Sequence, residues 1–346
     1  MPYVLGVDIG STRVKAAVCE LGSDATPVAV ALEGNNPWMP AVLRVGADDT
    51  LEVGTAALRT ARLEPQRIAR GFLERVGDPV PFVLGHSYYS AEVLASSLIA
   101  WLADVISDAE GTPPELVAVA HPTSWGAHRR GLLAEAVRAA EVPNVVLIPR
   151  LVAALRGHRQ PVGDAGEPAA MCLLGARYSE VGILLAGETE VEVIAASGPS
   201  ELGKAADDEL PRPVIDRIAG QLRAVALAAG KPLHTVALAG GASAHPLVRE
   251  VLGEPAGQLI TDPAPATLAC RGAAATARLL VQPRRANRGN ELVTTGSRKL
   301  AVAPPPEDLE LPPPRPPVAI APLDPPGRWR SRLPRLRRQQ DREVSR

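Results

Sequence analysis

Fifteen residues at the amino end narrow the possible folds more than any other stretch. The run Val4-Leu5-Gly6-Val7-Asp8-Ile9-Gly10-Ser11-Thr12-Arg13-Val14-Lys15 reads as a strand, a turn of small residues and a second strand. Val4, Leu5 and Val7 suit a buried strand. Asp8 follows them, and Gly10, Ser11 and Thr12 form a tight hairpin turn. Small side chains there let backbone N–H groups come close to a phosphate. A carboxylate at the strand end can hold a metal-bound water beside that phosphate. This is not a Walker A loop: no Gly-Lys-Ser/Thr is present, and a strand rather than a helix comes next. An ordinary hairpin with a polar turn is the competing reading.

The 346 residues are enough for two domains of ordinary size. Aromatic residues make up only 3% of the chain, so the core has to be built from Ala, Val and Leu. Abundant Ala, Arg, Pro and Gly with little Lys is the bias of a GC-rich bacterial coding sequence. Net charge is −1, which argues against a protein that binds nucleic acid over its whole surface. Cys19, Cys172 and Cys270 are far apart and odd in number. They make neither a metal-ligand spacing nor a disulfide framework, and the expected compartment is the reducing cytoplasm. No basic leader precedes the first strand, and no apolar run is long enough to span a bilayer.

Residues 1 to about 283 alternate strand-like and helix-like segments, the pattern of an α/β architecture. Helices are expected over 90–109, 125–140, from 151 and over 214–229, and strands over 116–120, 144–148 and 235–239. The opening hairpin recurs in form over 169–185, where Met171-Cys172-Leu173-Leu174 leads into Gly175-Ala176-Arg177 and then Val181-Gly182-Ile183-Leu184-Leu185. That is the mark of an internal duplication, or a coincidence of two hairpins. From about 284 the chain is rich in Pro and Arg and is expected to be an extended, disordered tail. Its basic end, from Gly327 to Arg338, suits an anionic membrane surface, an acidic protein partner or nucleic acid without sequence preference, or is simply a solvated tail.

Thr235-Val236-Ala237-Leu238-Ala239-Gly240-Gly241-Ala242-Ser243 is a strand that ends in two glycines, with Pro246 opening a helix behind it. A Gly-Gly pair lets a flat base or ribose lie against backbone, and a helix N-terminus can face a phosphate. After it come Asp262-Pro263 and an Ala-rich helix carrying Gly272. Taken in order, this set resembles the actin-like ATPase superfamily and, within it, the DnaK-type heat-shock (Hsp70) chaperones. Asp8-Ile9-Gly10-Ser11-Thr12 is similar to the first phosphate motif, residues 119–125 and 149–155 to the first connecting segment, and Ala239-Gly240-Gly241 to the adenosine motif. Leu202-Gly203-Lys204 through Asp208 resembles a Leu-Gly-Gly-Glu-Asp-Phe-Asp stretch of those chaperones. The likeness spans about 280 residues.

The resemblance implies a duplicated, ribonuclease H-like fold with two lobes around a nucleotide cleft. Lobe I is expected over 1–160 and lobe II over 161–283. It implies ATP or ADP with Mg²⁺ as ligands, the metal held at Asp8 through water, with Asp8 as the catalytic residue. Gly10, Ser11, Thr12, Arg13 and Lys15 would hold the phosphates from one side. Gly175, Gly240, Gly241 and Ala242 would hold the nucleotide from the other. Lys15 matches a phosphate-binding Lys of actins; the alternative is a solvent-facing strand residue.

The chain departs from the family at several of these places. The second phosphate hairpin should read Asp-Leu-Gly-Gly-Gly-Thr, and here it is Leu173-Leu174-Gly175-Ala176-Arg177-Tyr178. The chaperone Lys falls on Leu58, with Arg59 adjacent, and an acidic residue falls on Pro149. Each such contact is worth on the order of 10³-fold in phosphoryl transfer. Glu180 and Asp262 are the carboxylates left as candidate bases, and neither sits in the expected place. Only about 37 residues separate Gly203 from Gly240, so one subdomain is reduced to a helix. The expected function is that of a degenerate nucleotide-binding protein with weak or no hydrolysis and a regulatory or adaptor role. An active ATPase or small-molecule kinase, or an actin-like cytoskeletal or secretion-associated scaffold, are the alternatives.

Overall fold

In a computed structural model the chain is described over residues 1–290, apart from 23–24, 48–49, 143, 164–165, 188–189, 203–209, 232–233 and 254–256, with backbone alone over 283–290. The protein is α/β. Strand β1 (Tyr3–Ile9) is buried throughout, and β2 (Arg13–Glu20) alternates between buried and partly exposed positions. They pair antiparallel, with Asp8 opposite Lys15. The short strands β3 (Val28–Ala29) and β4 (Met39–Pro40) add to β2. Next, β5 (Val42–Val45), β6 (Leu51–Val53), helix α1 (Thr55–Thr60) and β7 (Ile68–Arg70) build a small three-stranded sheet. A hairpin of β8 (Phe82–Leu84) and β9 (Ser87–Tyr89) leads to α2 (Ala91–Glu110). Strand β10 (Val117–His121) returns parallel to β1, α3 (Ala127–Ala139) crosses over, and β11 (Val145–Pro149) lies parallel to β10. Helix α4 (Arg150–Gly157) starts directly after it.

The second half repeats this connectivity. Strands β12 (Pro168–Leu174), β13 (Tyr178–Ala186) and β14 (Val191–Glu201) form an antiparallel meander. Helix α5 (Arg212–Ala229) crosses to β15 (Thr235–Ala239), which is parallel to β12. Helix α6 (Pro246–Gly253) crosses to β16 (Gln258–Ile260), and α7 (Leu268–Asn290) follows. The first sheet therefore runs β11-β10-β1-β2-β3 and the second β14-β13-β12-β15-β16, so each half is hairpin, third strand, then two parallel crossovers. The turns match as well. Gly10 N–H donates to the Arg13 carbonyl at 2.8 Å, and Gly175 N–H donates to the Tyr178 carbonyl at 2.9 Å.

Helices α4 and α7 share one core with residues of both sheets. Because aromatics are scarce, that core is made of Ala, Val, Leu and Cys, and small side chains bring main chains into contact. A β-carbon at Gly272 would stand 1.7 Å from the Ala153 carbonyl oxygen, and one at Gly157 would stand 2.1 Å from that of Leu268. On the opposite face of α7, a β-carbon at Gly6 would meet the Cys270 carbonyl oxygen at 2.2 Å. A second core, under α5 and α6, covers the other face of the second sheet.

The long elements agree with their expected ranges within two residues. Helix α3 starts at Ala127 rather than 125, leaving Trp125 in the preceding turn, where its N–H donates to the Pro122 carbonyl at 3.0 Å. Residues Met1–Pro283 form one compact unit, and the last helix, α7, is drawn to Asn290. The Pro/Arg-rich stretch beyond lies outside the described residues. Among the described residues no helix is long and apolar enough to cross a membrane.

The seam between α4 and α7 gives a direct test. Gly272→Ala should destabilise the protein by about 3 kcal/mol through overpacking, read from urea unfolding. Gly220→Ala, where an added β-carbon meets nothing within 4 Å, should stabilise α5 by about 0.5–1 kcal/mol.

Candidate functional site

The turns of the two hairpins and the loop after β15 open onto a single cleft of about 510 Å³. Gly10, Ser11, Thr12, Arg13 and Lys15 line it from the first sheet. Gly175, Gly240, Gly241 and Ala242 line it from the second. Every binding residue expected from the sequence is therefore brought to one place. Gly240 has a structural reason of its own. Its φ is 86°, and a β-carbon would stand 2.1 Å from the Leu174 carbonyl oxygen, so only glycine lets the loop lie against β12. Gly241 and Ala242 open a short 3₁₀ turn, Gly241–Ala244, with Ser243 Oγ donating to the Gly240 carbonyl at 2.7 Å.

Asp8 sits in the cleft wall and is 5% exposed. Its Oδ2 accepts from Lys15 Nζ at 3.0 Å and its Oδ1 from Arg150 Nε at 3.0 Å. Burial pushes the Asp8 carboxyl up, but the two cations outweigh burial and hold it below its ordinary value. Lys15 is thus not a solvent-facing strand residue: the antiparallel register sets it across from Asp8, on the same face.

Arg150, which sequence reasoning left without a role, and Glu180, named there only as a candidate base out of its expected place, complete the group. Arg150, the first residue of α4, is 8% exposed. Besides Asp8, its Nη1 donates to Glu180 Oε1 at 2.9 Å and its Nη2 to the Ile9 carbonyl at 2.7 Å. Burial opposes its charge, and the two carboxylates more than offset this and raise its pKa. Glu180 is 3% exposed, and its Oε2 accepts the Thr123 N–H at 2.8 Å. Thr123 Oγ1 in turn accepts from Leu151 N–H at 3.0 Å, satisfying an amide in the first turn of α4.

Glu180 lies on β13 directly opposite Leu173. The position where the resemblance calls for Asp holds a leucine, and the facing strand supplies a carboxylate instead. By the matching register, Glu180 takes the place in the second hairpin that Lys15 takes in the first. That cross-strand relation was available from the sequence once the turn was fixed at Gly175–Tyr178.

Other candidates fall away from the cleft. Asp262 is buried, pairs with Arg271 at 2.9 Å and accepts the Ala264 N–H at 2.8 Å, away from the cleft lining. Arg177 points to solvent and pairs with Glu201 at 3.2 Å, whereas its neighbour Tyr178 lines the cleft. Arg59 is exposed on α1 and is not part of the lining. Trp38 and Trp125 line the cleft and also pack: the Arg13 guanidinium stands 4.2 Å over the Trp38 ring, and Trp125 stacks on His121 with centroids 5.8 Å apart. The stretch 203–209, including Asp207 and Asp208, lies outside the described residues. Burial raises the thiols of Cys172 and Cys270 to about 12, which leaves them un-ionised at neutral pH.

The site residues do not fit a resident divalent cation. All four oxygens of Asp8 and Glu180 already accept hydrogen bonds, three of them from cations. Among the described residues, no three His, Cys, Asp or Glu side chains are grouped to hold a metal. What the set offers a ligand is short backbone turns, a rim with Arg13 and Arg129, and a floor of fixed charges. No known protein-family model matches the chain.

His121 provides a pH handle beside the site. Its Nδ1 lies 2.8 Å from the Pro122 carbonyl oxygen, and its Nε2 is buried with no hydrogen-bond partner among the described residues. Burial, opposed by the Pro122 carbonyl and aided by Arg130 and Arg150, lowers its pKa from 6.5 to about 4. Between those values the unfolded chain binds a proton that the folded chain refuses, so stability falls as pH drops from 6.5 to about 4 and this contribution levels off below. The loss from this residue is on the order of 3 kcal/mol. His158 shifts in the same direction. Urea unfolding of wild type and His121→Gln should show the variant's relative stability rising as the pH is lowered through that window.

Proposed function

We propose that this chain is a degenerate DnaK-type protein of the actin-like ATPase superfamily that binds ATP or ADP in the cleft and hydrolyses ATP weakly or not at all. The observation that carries the reading is that both hairpin turns and the Gly240–Gly241 loop line one cleft. The repeated connectivity of the two sheets supports a duplicated two-lobed fold of that superfamily. A volume of about 510 Å³ suits a small-molecule ligand. Turns with small residues and cations on the rim suit an anionic one.

The charges argue against efficient turnover. Phosphoryl transfer needs a group to orient or deprotonate the nucleophile. Asp8 and Glu180 are engaged by Arg150, and Asp8 is held ionised with its pKa lowered, which makes it a poor base. That weighs against the active ATPase or kinase alternative. A regulatory or adaptor role follows, in which the nucleotide fixes the relation of the two lobes and the basic tail engages a protein partner or an anionic membrane surface.

Calorimetry and thermal shift with ATP and ADP test the reading. Binding is expected, with ATP turnover unchanged in Asp8→Ala. At Gly241 an added β-carbon meets nothing closer than the Ala266 β-carbon at 3.8 Å. Gly241→Leu should therefore fold normally and weaken ADP about tenfold, close to 1.4 kcal/mol. Absence of heat and of any thermal shift at millimolar nucleotide would sink the nucleotide reading.

A further inference from the structure

We infer that Arg150 occupies the place of a divalent cation in the cleft, so that the site takes a nucleoside di- or triphosphate free of metal. This rests on the nucleotide reading of the cleft and specifies the form in which the ligand binds.

The argument starts from the oxygens. A hard divalent cation between the two hairpins would draw on carboxylate and carbonyl oxygens from both sides. The Arg150 guanidinium already bridges such a set: Asp8 Oδ1 at 3.0 Å, the Ile9 carbonyl oxygen at 2.7 Å and Glu180 Oε1 at 2.9 Å. Its planar fork of donors matches oxygens spread in this way, and unlike a lysine it keeps its charge at every accessible pH. The two remaining carboxylate oxygens are taken by Lys15 Nζ and the Thr123 N–H. Each carboxylate oxygen of the pair already has a cation or an amide as its partner.

Charge leads to the same conclusion. Asp8 and Glu180 are matched by Lys15 and Arg150, so the cluster is neutral before any ligand arrives. A dication entering it would meet two fixed cations at contact distance, in a region where Asp8, Arg150 and Glu180 are all under 10% exposed. Removing Arg150 from its partners would leave uncompensated buried carboxylates, so the cation is not readily displaced. A phosphate chain meets the opposite situation. It meets a neutral floor rather than a bare pair of carboxylates, and Arg13 and Arg129 also line the cleft. The two carboxylates that would otherwise call for a metal between them and the phosphates are already neutralised by the protein.

The first experiment is calorimetry of ADP into the wild-type protein, in EDTA and in excess MgCl₂. The expected result is two dissociation constants within about threefold. A loss of about tenfold or more in EDTA overturns the proposal. The second is Mn²⁺ titration of the nucleotide-free protein, followed by melting temperature and by electron paramagnetic resonance of bound metal. Wild type is expected to bind no Mn²⁺ at this site and to show no shift. Arg150→Ser, which frees Asp8 and Glu180, is expected to bind Mn²⁺ and to be stabilised by it. Micromolar Mn²⁺ binding by wild type, or a folded Arg150→Ser that ignores Mn²⁺, overturns the proposal. Should Arg150→Ser not fold, the wild-type titration alone decides. Failure of ADP to bind in either buffer overturns the nucleotide reading instead, and the Mn²⁺ titration still decides whether the cluster excludes metal.

Discussion

The guanidinium of Arg150 ties Asp8 on the first sheet to Glu180 on the second, largely buried in the cleft wall, and much of the cleft depends on that tie. A buried ion pair of this kind is a weak source of net stability, because desolvation cancels much of the attraction. What it enforces is arrangement. Either carboxylate alone in that environment would be costly, so the strands bearing them have to bring both to the same guanidinium. Arg150 opens α4, Thr123 satisfies an amide one residue further on, and Glu180 accepts from the Thr123 backbone. The helix start, the turn after β10 and the second hairpin are thereby locked into one network.

The two halves of the protein repeat a plan but not a chemistry. In the first hairpin Asp8 faces Lys15 across the ladder; in the second Leu173 faces Glu180. The first hairpin carries its carboxylate on the leading strand and the second on the returning one, and the two reach the same cation from opposite sides. The connectivity survives because it depends on buried apolar strands and on turns closed by one hydrogen bond. The polar positions are free of that requirement, and this is where the halves diverge.

This difference also explains what could be read from the residues alone. The hairpins, β10, α2, α5 and the strand before Gly240 stood out because each has a clear period or an unbroken apolar run. The cleft glycines stood out because small residues mark close backbone approaches. The strands β3 to β9 did not, since segments of two to four residues carry no period. Arg150, and the pairing of Glu180 with it, were hidden for another reason. Each is an ordinary charge in its local sequence, and Arg150 follows a proline that ends a strand. Their meaning arises only when cross-strand register and the direction of α4 bring residues 142 and 30 positions apart into contact.

At the crossing of α4 and α7 main chain rests on main chain, at Gly157 against Leu268 and at Gly272 against Ala153. Side chains can change rotamer to absorb a displacement; peptide groups in contact cannot. Sliding of one helix past the other would drive peptide groups into collision, so this crossing fixes the relative height of α4 and α7 along their axes.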